Sequence, residues 1–407
     1  MPTPTNYDES LVPVYELPDP LTDISGAAVS TAADWRDRRR GEVLRLFEDH
    51  VYGHMPGPWE GPSCQRLDEN EDALDGRAVR RQTRVRFGDG DAAPAINLLL
   101  YLPCGATKPV PAFLGLNFYG NHSIHGDPGI HLSTSWMRND REHNTTGHRA
   151  SEASRATAAS RWPVADILAR GYGLATIYCG DLDPDFDDGY YNGVHPLFYA
   201  DGQSQPEAHQ WGSIGAWAWG LSRGLDILQQ DPGVDASRVC VMGHSRLGKT
   251  ALWAGACDER FALVISNNSG CGGAALARRR YGETVETINK AFPHWFCDNY
   301  HAYDGREDEL PVDQHQLIAL AAPRPVYVTS AIDDRWADPK GEFLGALHAS
   351  PVYELLGEGG LCDTQMPPVD KPLTGVRIGY HMRSGGHDVT AYDWDRWMDF
   401  ADLHLQL

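Results

Sequence analysis

At 407 residues, with 42% apolar and 10% aromatic side chains, the chain can bury a large core, and no composition shift marks a linker between domains. A formal charge of −21, with basic residues scattered along the sequence, excludes a polyanion-binding surface, so nucleic acid is not an expected partner. Eight cysteines without a C-x-x-C pair suggest neither a disulfide scaffold nor a zinc site, and no apolar run approaches the ~20 residues needed to cross a bilayer.

Residues 1–75 read as an N-terminal arm followed by a helix packed on the core. Its first 30 residues are rich in Pro and Asp and read as extended, whereas 32–51 set Val43, Leu44, Phe47 and Val51 on one helical face. The opening, MPTPTNYDESLVP, has neither a basic nor an apolar signal region, so no signal peptide is expected in this chain. The triplets Arg38-Arg39-Arg40 and Arg278-Arg279-Arg280 read as solvated helix faces.

Residues 76–407 read as one catalytic domain. Strands expected at 97–102, 112–118, 174–179, 239–242, 263–266, 326–330 and 377–382 alternate with helices at 213–229, 246–256, 313–320, 341–356 and 392–405. That alternation predicts an α/β fold with a mostly parallel central sheet and helices on both faces. A long polar insertion at 121–162 carries His122, His125, His131, His143 and His148. None has the spacing of a metal motif, so the insertion reads as a surface loop, and neither a metal nor another cofactor is expected.

The segment from Val239 to Ala254 carries the chemistry. An apolar strand runs through Gly243-His244-Ser245-Arg246-Leu247-Gly248-Lys249 into a helix. A serine in such a turn exposes its Oγ at the strand's carboxyl end, where the helix N-terminus aims backbone N–H groups at an anion forming beside it. Gly243 to Thr250 also matches the phosphate-binding pattern G-x-x-x-x-G-K-[ST], so a P-loop nucleotide-binding protein is the rival reading. Against it, no apolar strand ending in Asp follows at a plausible distance, and the other parts of a hydrolase follow in order. The elbow departs from G-x-S-x-G, because Leu247 takes the place of the second glycine.

A serine needs a base, and in this fold the base is a histidine on the loop after the last strand. Ser384-Gly385-Gly386-His387-Asp388 occupies that place, and His381, inside the strand, is a weaker candidate. The acid belongs between them in chain order; Asp334 is the choice and Asp333 the alternative, while Asp338 before Pro339 reads as a helix cap. Arg246 follows the nucleophile, so its N–H and guanidinium are placed to serve the oxyanion. Lys249 lies one helical turn from Ser245 on the same face, within reach of substrate hydroxyls.

These residues resemble the glucuronoyl esterases, carbohydrate esterase family fifteen, of the bacterial type. The likeness rests on the Gly-His-Ser-Arg-Leu-Gly-Lys elbow, Arg161-Trp162-Pro163-Val164, Asn268-Ser269-Gly270-Cys271-Gly272-Gly273, Asp334-Arg335-Trp336-Ala337-Asp338-Pro339 and Gly386-His387. It implies an α/β-hydrolase fold and metal-free hydrolysis, through an acyl-serine, of esters between 4-O-methyl-glucuronic acid of glucuronoxylan and lignin alcohols. It also implies Ser245 as nucleophile, His387 as base, Arg246 as oxyanion donor, and Lys249, Glu283 and Trp336 as ligands of the uronate ring. A monomer acting in the periplasm or outside the cell, with no membrane partner, completes that expectation; an acetyl xylan or other carbohydrate esterase is the alternative within the fold. The fungal pattern has its acidic residue as a glutamate in the segment that here reads Asn267-Asn268-Ser269-Gly270, and cysteines at the positions of His244 and Asp388, so no disulfide is expected there.

Overall fold

The computed structural model describes residues 5–90 and 93–405. Nine strands form one sheet: β1 (Ser63–Asp72), β2 (Ala78–Arg86), β3 (Ala95–Pro103), β4 (Val110–Asn117), β5 (Gly173–Tyr178), β6 (Val234–His244), β7 (Leu263–Asn267), β8 (Val326–Ala331) and β9 (Ile378–Arg383). They lie in the order β1-β2-β3-β5-β4-β6-β7-β8-β9. The pairings β1·β2, β2·β3 and β3·β5 are antiparallel, and every other pairing is parallel. This is the mostly parallel sheet of the α/β-hydrolase fold.

Side chains divide between the faces with the two-residue strand period. Leu98, Leu114, Val239, Val241 and Val264 pack on one side, beneath helices Ser213–Leu228, Arg246–Cys257, Gln314–Ala319 and Pro339–Leu355. Leu99, Phe113, Cys240, Met242 and Tyr327 pack on the other, beneath Val164–Ala169 and Ala391–Leu405. Residues 32–52 are helical throughout, but α-turns (Ala32–Asp34, Arg40–Phe47) alternate with π-turns (Trp35–Arg39, Glu48–Tyr52), and Val43, Phe47 and Val51 are fully buried.

Several features depart from the sequence reading. The hairpin of β1 and β2 precedes the first expected strand, and it draws chain from both sides of residue 75 into the sheet. Neither strand alternates apolar with polar residues: β1 is exposed along most of its length, and β2 buries Arg80, whose guanidinium lies 2.9 Å from Asp68 and 2.6 Å from Asp127. The arginine triplets are solvated only in part: Arg38 is exposed, but most of the others are drawn inward. Arg39 donates to Pro20 O at 3.1 Å, Arg40 to Ala256 O at 2.7 Å, and Arg278 and Arg279 are buried against Asp313 and Asp338. A guanidinium's fixed fork of donors lets it satisfy several backbone carbonyls and carboxylates at once.

The 121–162 insertion is irregular, as expected, but it packs down rather than standing free. His122 and His143 are buried, the first 2.8 Å from Ser154 Oγ and the second stacked on Tyr119 with ring centres 3.5 Å apart. Among the described residues, no three His, Cys, Asp or Glu side chains are grouped to hold a metal ion, and no helix is long and apolar enough to cross a membrane.

Candidate active site

β6 ends at His244 and helix Arg246–Cys257 starts two residues on, so Ser245 alone makes the turn, at φ 57° and ψ −130°. Such a backbone costs a non-glycine residue on the order of 1–3 kcal/mol and persists only where neighbours hold it. Here Ser245 N donates to Asn267 O at 2.9 Å, and Ser245 O accepts from Gly248 N at 2.8 Å. Gly243 lets helix and strand close together, since a Cβ there would lie 1.9 Å from Leu247 O. Leu247, which breaks the usual glycine spacing, turns into the core and is buried.

The loop after β9 carries His387 over this turn, its ring centre 4.5 Å from that of His244. His387 Nδ1 lies 2.6 Å from Asp334 Oδ2. Asp334 is buried, whereas the alternative, Asp333, points to solvent. Burial raises the Asp334 carboxyl, but the hydrogen bond and charge of His387 and a bond from Asn268 Nδ2 at 2.7 Å outweigh it and hold the group below the usual carboxylate range. An ionised carboxylate can only accept, so Nδ1 carries the proton and Nε2 is left to take one. Arg383 braces the loop by donating to Gly386 O at 3.0 Å and Asp388 O at 2.6 Å. Asn267, at the end of β7, ties the two halves together: its carbonyl holds Ser245 N, and its Nδ2 donates to Asp388 O at 3.1 Å. His381 is spent elsewhere, buried between the Tyr327 hydroxyl and Asp393.

Arg246 begins the helix, and its guanidinium carbon lies 4.5 Å from the Phe118 ring centre and 5.8 Å from that of Trp295. Its Nη2 is 2.9 Å from Asp185 Oδ2, while Asp185 Oδ1 accepts from Trp295 Nε1 at 2.7 Å and lies 3.1 Å from His294 Nε2. Burial opposes the charge on Asp185, but Arg246 and these donors hold its carboxyl well below the usual range. The guanidinium is therefore fixed at the start of the helix by an ionised partner.

Lys249 is buried, and its Nζ donates to Ser269 O and Cys271 O, each at 2.6 Å, with Glu283 Oε2 at 3.6 Å. Burial pushes the Glu283 carboxyl up, against the pull of Lys249 and a bond from the Trp336 indole. Glu283 N also donates to Trp336 O at 2.9 Å, and the Trp336 side chain is 40% exposed. Carboxylate, ammonium and open aromatic face lie together, a combination suited to a ring with an apolar face and hydroxyl edges. Beneath the turn that receives Lys249, the fully buried Glu342 accepts from Ser269 N at 2.7 Å and Gly270 N at 3.0 Å and lies 2.6 Å from Ser330 Oγ. Burial pushes its carboxyl up to about 8 despite these donors, and the negative charge of Asp334 adds to the rise.

The family model of fungal glucuronyl esterases matches residues 203–357, which include Ser245, Lys249, Glu283 and Asp334. A carbohydrate esterase of an unknown prokaryotic organism is 53% identical over 400 residues, covering 98% of this chain and 92% of its own length. The chain belongs to the glucuronoyl esterases of carbohydrate esterase family fifteen. A promiscuous family-fifteen esterase from a marine bacterial metagenome superposes with a TM-score of 0.92 at 53% identity, covering 98% of this chain and 100% of that one. The glucuronoyl esterase from Solibacter usitatus gives 0.92 at 47% identity, covering 97% and 99%.

In this glucuronoyl esterase all eight cysteines are free, and the positions that are cysteines in the fungal pattern make other contacts. Asp388 pairs with Arg161 Nε at 2.6 Å, and His244 packs on His387. Burial first, then the charges of His387 and nearby arginines, holds His244 well below the usual histidine range, so a neutral ring lies against the loop. Three contributions escape the sequence reading: Asp185, the Asn268 amide and Glu342. Asn268 stands inside a motif and so had a local signal; Asp185, in an irregular stretch after β5, and Glu342, one of two acids on helix Pro339–Leu355, had none.

Proposed function

We propose that this glucuronoyl esterase cleaves the ester between 4-O-methyl-glucuronic acid of glucuronoxylan and a lignin alcohol through an acyl-Ser245 intermediate. The observation that supports it best is the His387 to Asp334 contact of 2.6 Å in a loop tied through Asn267 to the Ser245 turn. In this reading His387 Nε2 takes the Oγ proton as Oγ attacks the ester carbon, and Asp334 stabilises the imidazolium. The tetrahedral oxyanion is met by the Arg246 N–H and guanidinium. Collapse expels the alcohol, which receives the proton from His387. Water, deprotonated by the same imidazole, then releases the uronate and restores the Ser245 hydroxyl. Trp336 lies along the sugar face while Glu283, backed by Lys249, takes its hydroxyls.

The test is hydrolysis of a benzyl or methyl glucuronate by the purified chain and by Ser245→Ala. We expect a loss of about 10⁵-fold or more. Activity that survives the substitution removes Ser245 from the mechanism, and an acetyl ester cleaved at higher kcat/KM than the glucuronate overturns the substrate assignment. The reading extends to a monomer working in the periplasm or outside the cell. Light scattering in solution and fractionation of the producing organism check those two parts.

A further inference from the structure

The extended N-terminal arm does not end its course on a neutral part of the surface. Its residues 6–9 meet the two loops that present Glu283 and Trp336. On one loop, Gly282 N donates to Asn6 O at 2.8 Å and the Tyr281 hydroxyl donates to Tyr7 O at 3.2 Å. On the other, the Arg335 guanidinium donates to the same Tyr7 carbonyl and lies over the Tyr7 ring, 5.0 Å from its centre. Glu9 then accepts from Arg279 Nη2 at 2.9 Å and from Lys340 Nζ at 2.6 Å, one cation from each side. Arg279 is itself buried and paired at 2.8 Å with Asp338, the cap of helix Pro339–Leu355.

On each loop the arm is held by the residue that immediately precedes the sugar-facing one. Gly282 precedes Glu283, and Arg335 precedes Trp336. The loops are joined directly by Glu283 N to Trp336 O, and the fit is close: a Cβ on Gly282 would lie 2.4 Å from Trp336 O. Residues 280–284 are irregular chain and Arg335–Ala337 is a single 3-10 turn, so the arm adds a third segment of support across two short connections. The Ser245, His387 and Asp334 side chains, in contrast, make no hydrogen bond or ion pair with residues 5–14 among the described contacts.

We propose that Asn6, Tyr7 and Glu9 are positioning residues for the uronate site: the arm fixes Glu283 and Trp336 relative to one another and so sets affinity for the acid sugar without touching the hydrolytic step. The inference rests on the reading that Glu283 and Trp336 hold the uronate. It assigns the first residues of the chain to substrate recognition rather than to general packing.

The experiment compares the full-length chain with Tyr7→Ala/Glu9→Ala, which removes the ring under Arg335 and the carboxylate shared by Arg279 and Lys340. The readouts are KM and kcat on benzyl glucuronate and, separately, the rate at which a fluorophosphonate, which carries no sugar, labels Ser245. We expect KM to rise about tenfold, with kcat and labelling within about twofold of the unmodified chain. An unchanged KM overturns the proposal. So does a parallel fall in labelling, because that places the effect on the whole site. Glu9→Gln alone, which keeps the size of the side chain, is the second variant should the double change fail to fold; it must raise KM in the same direction. If the unmodified chain does not cleave the glucuronate while a fluorophosphonate still labels Ser245, the substrate assignment fails, and the inference fails with it.

Discussion

Asp334→Asn separates two ways in which an acid can serve a histidine. A carboxylate both fixes the imidazole tautomer and stabilises the imidazolium, and losing the tautomer costs about 10⁴ in kcat in serine hydrolases of this type. Here Asp334 Oδ2 receives two donors, His387 Nδ1 at 2.6 Å and Asn268 Nδ2 at 2.7 Å. An asparagine at 334 meets both by turning its carbonyl oxygen toward them, so the tautomer survives and only the charge is lost. With charge centres roughly 4 Å apart and an effective dielectric of about 20, that charge is worth about 4 kcal/mol. At 1.36 kcal/mol per decade, kcat on benzyl glucuronate falls about 10³-fold. Stopped assays at saturating substrate, with Ser245→Ala as the floor, resolve the outcomes. A loss below tenfold removes Asp334 from the reaction, and a loss of about 10⁴-fold or more shows that the amide turned its nitrogen inward and that the tautomer did not survive.

Two further predictions follow from buried carboxyls. Asp185→Asn removes the counter-charge of Arg246 but leaves its N–H in place, so we expect kcat to fall roughly 10- to 100-fold, less than the loss of an oxyanion donor outright, with KM nearly unchanged; an unaffected kcat means the guanidinium does not serve the reaction. Glu342 has its carboxyl raised from 4.5 to about 8 by burial, so the folded chain keeps a proton that the unfolded chain releases. Its contribution to stability is full below about pH 4.5 and declines as pH rises toward 8, by on the order of 5 kcal/mol at most. Glu342→Gln removes that slope: between pH 5 and 8.5 its Tm falls less than that of the unmodified chain, and parallel curves for the two refute the assignment of the proton.

The parts legible in the sequence are those with local patterns. Continuous apolar runs at 239–242 and 261–265 mark strands buried on both faces, and a serine between such a strand and a helix has few structural alternatives. Chain order was enough to nominate His387 and to narrow the acid to Asp333 or Asp334, since the last strands of a parallel sheet deliver their loops to the same edge. What stayed hidden depends on pairing between distant residues. Arg80 looks like a residue that belongs in water until Asp68 and Asp127 surround it, and that is why β2 carried no strand signal. The arginine triplets were misread for the same reason, because the carbonyls and carboxylates that bury Arg39 and Arg279 are 19 and 59 residues away. Glu342 is the extreme case: its partners on β8 and in the 269–270 turn give no hint in the residues around it.

The phosphate-binding string at Gly243 to Thr250 shows why a literal motif is weaker than its backbone. A P-loop cradles an anion with successive N–H groups of a loop between strand and helix, and its lysine reaches forward to the same anion. In this chain that loop has no length, since β6 continues to His244 and the helix begins at Arg246. Gly243, the first glycine of the string, is strand and is needed for close contact with Leu247 O rather than for a wide turn. Lys249 spends two of its three donors on the carbonyls of Ser269 and Cys271, at the end of the neighbouring strand. The eight residues therefore build a half-buried serine above a helix N-terminus with a buried ammonium to one side. With Gly243 in the strand and Lys249 turned onto backbone carbonyls, the string lacks the loop of successive N–H groups and the forward-reaching lysine that a chain of phosphates needs.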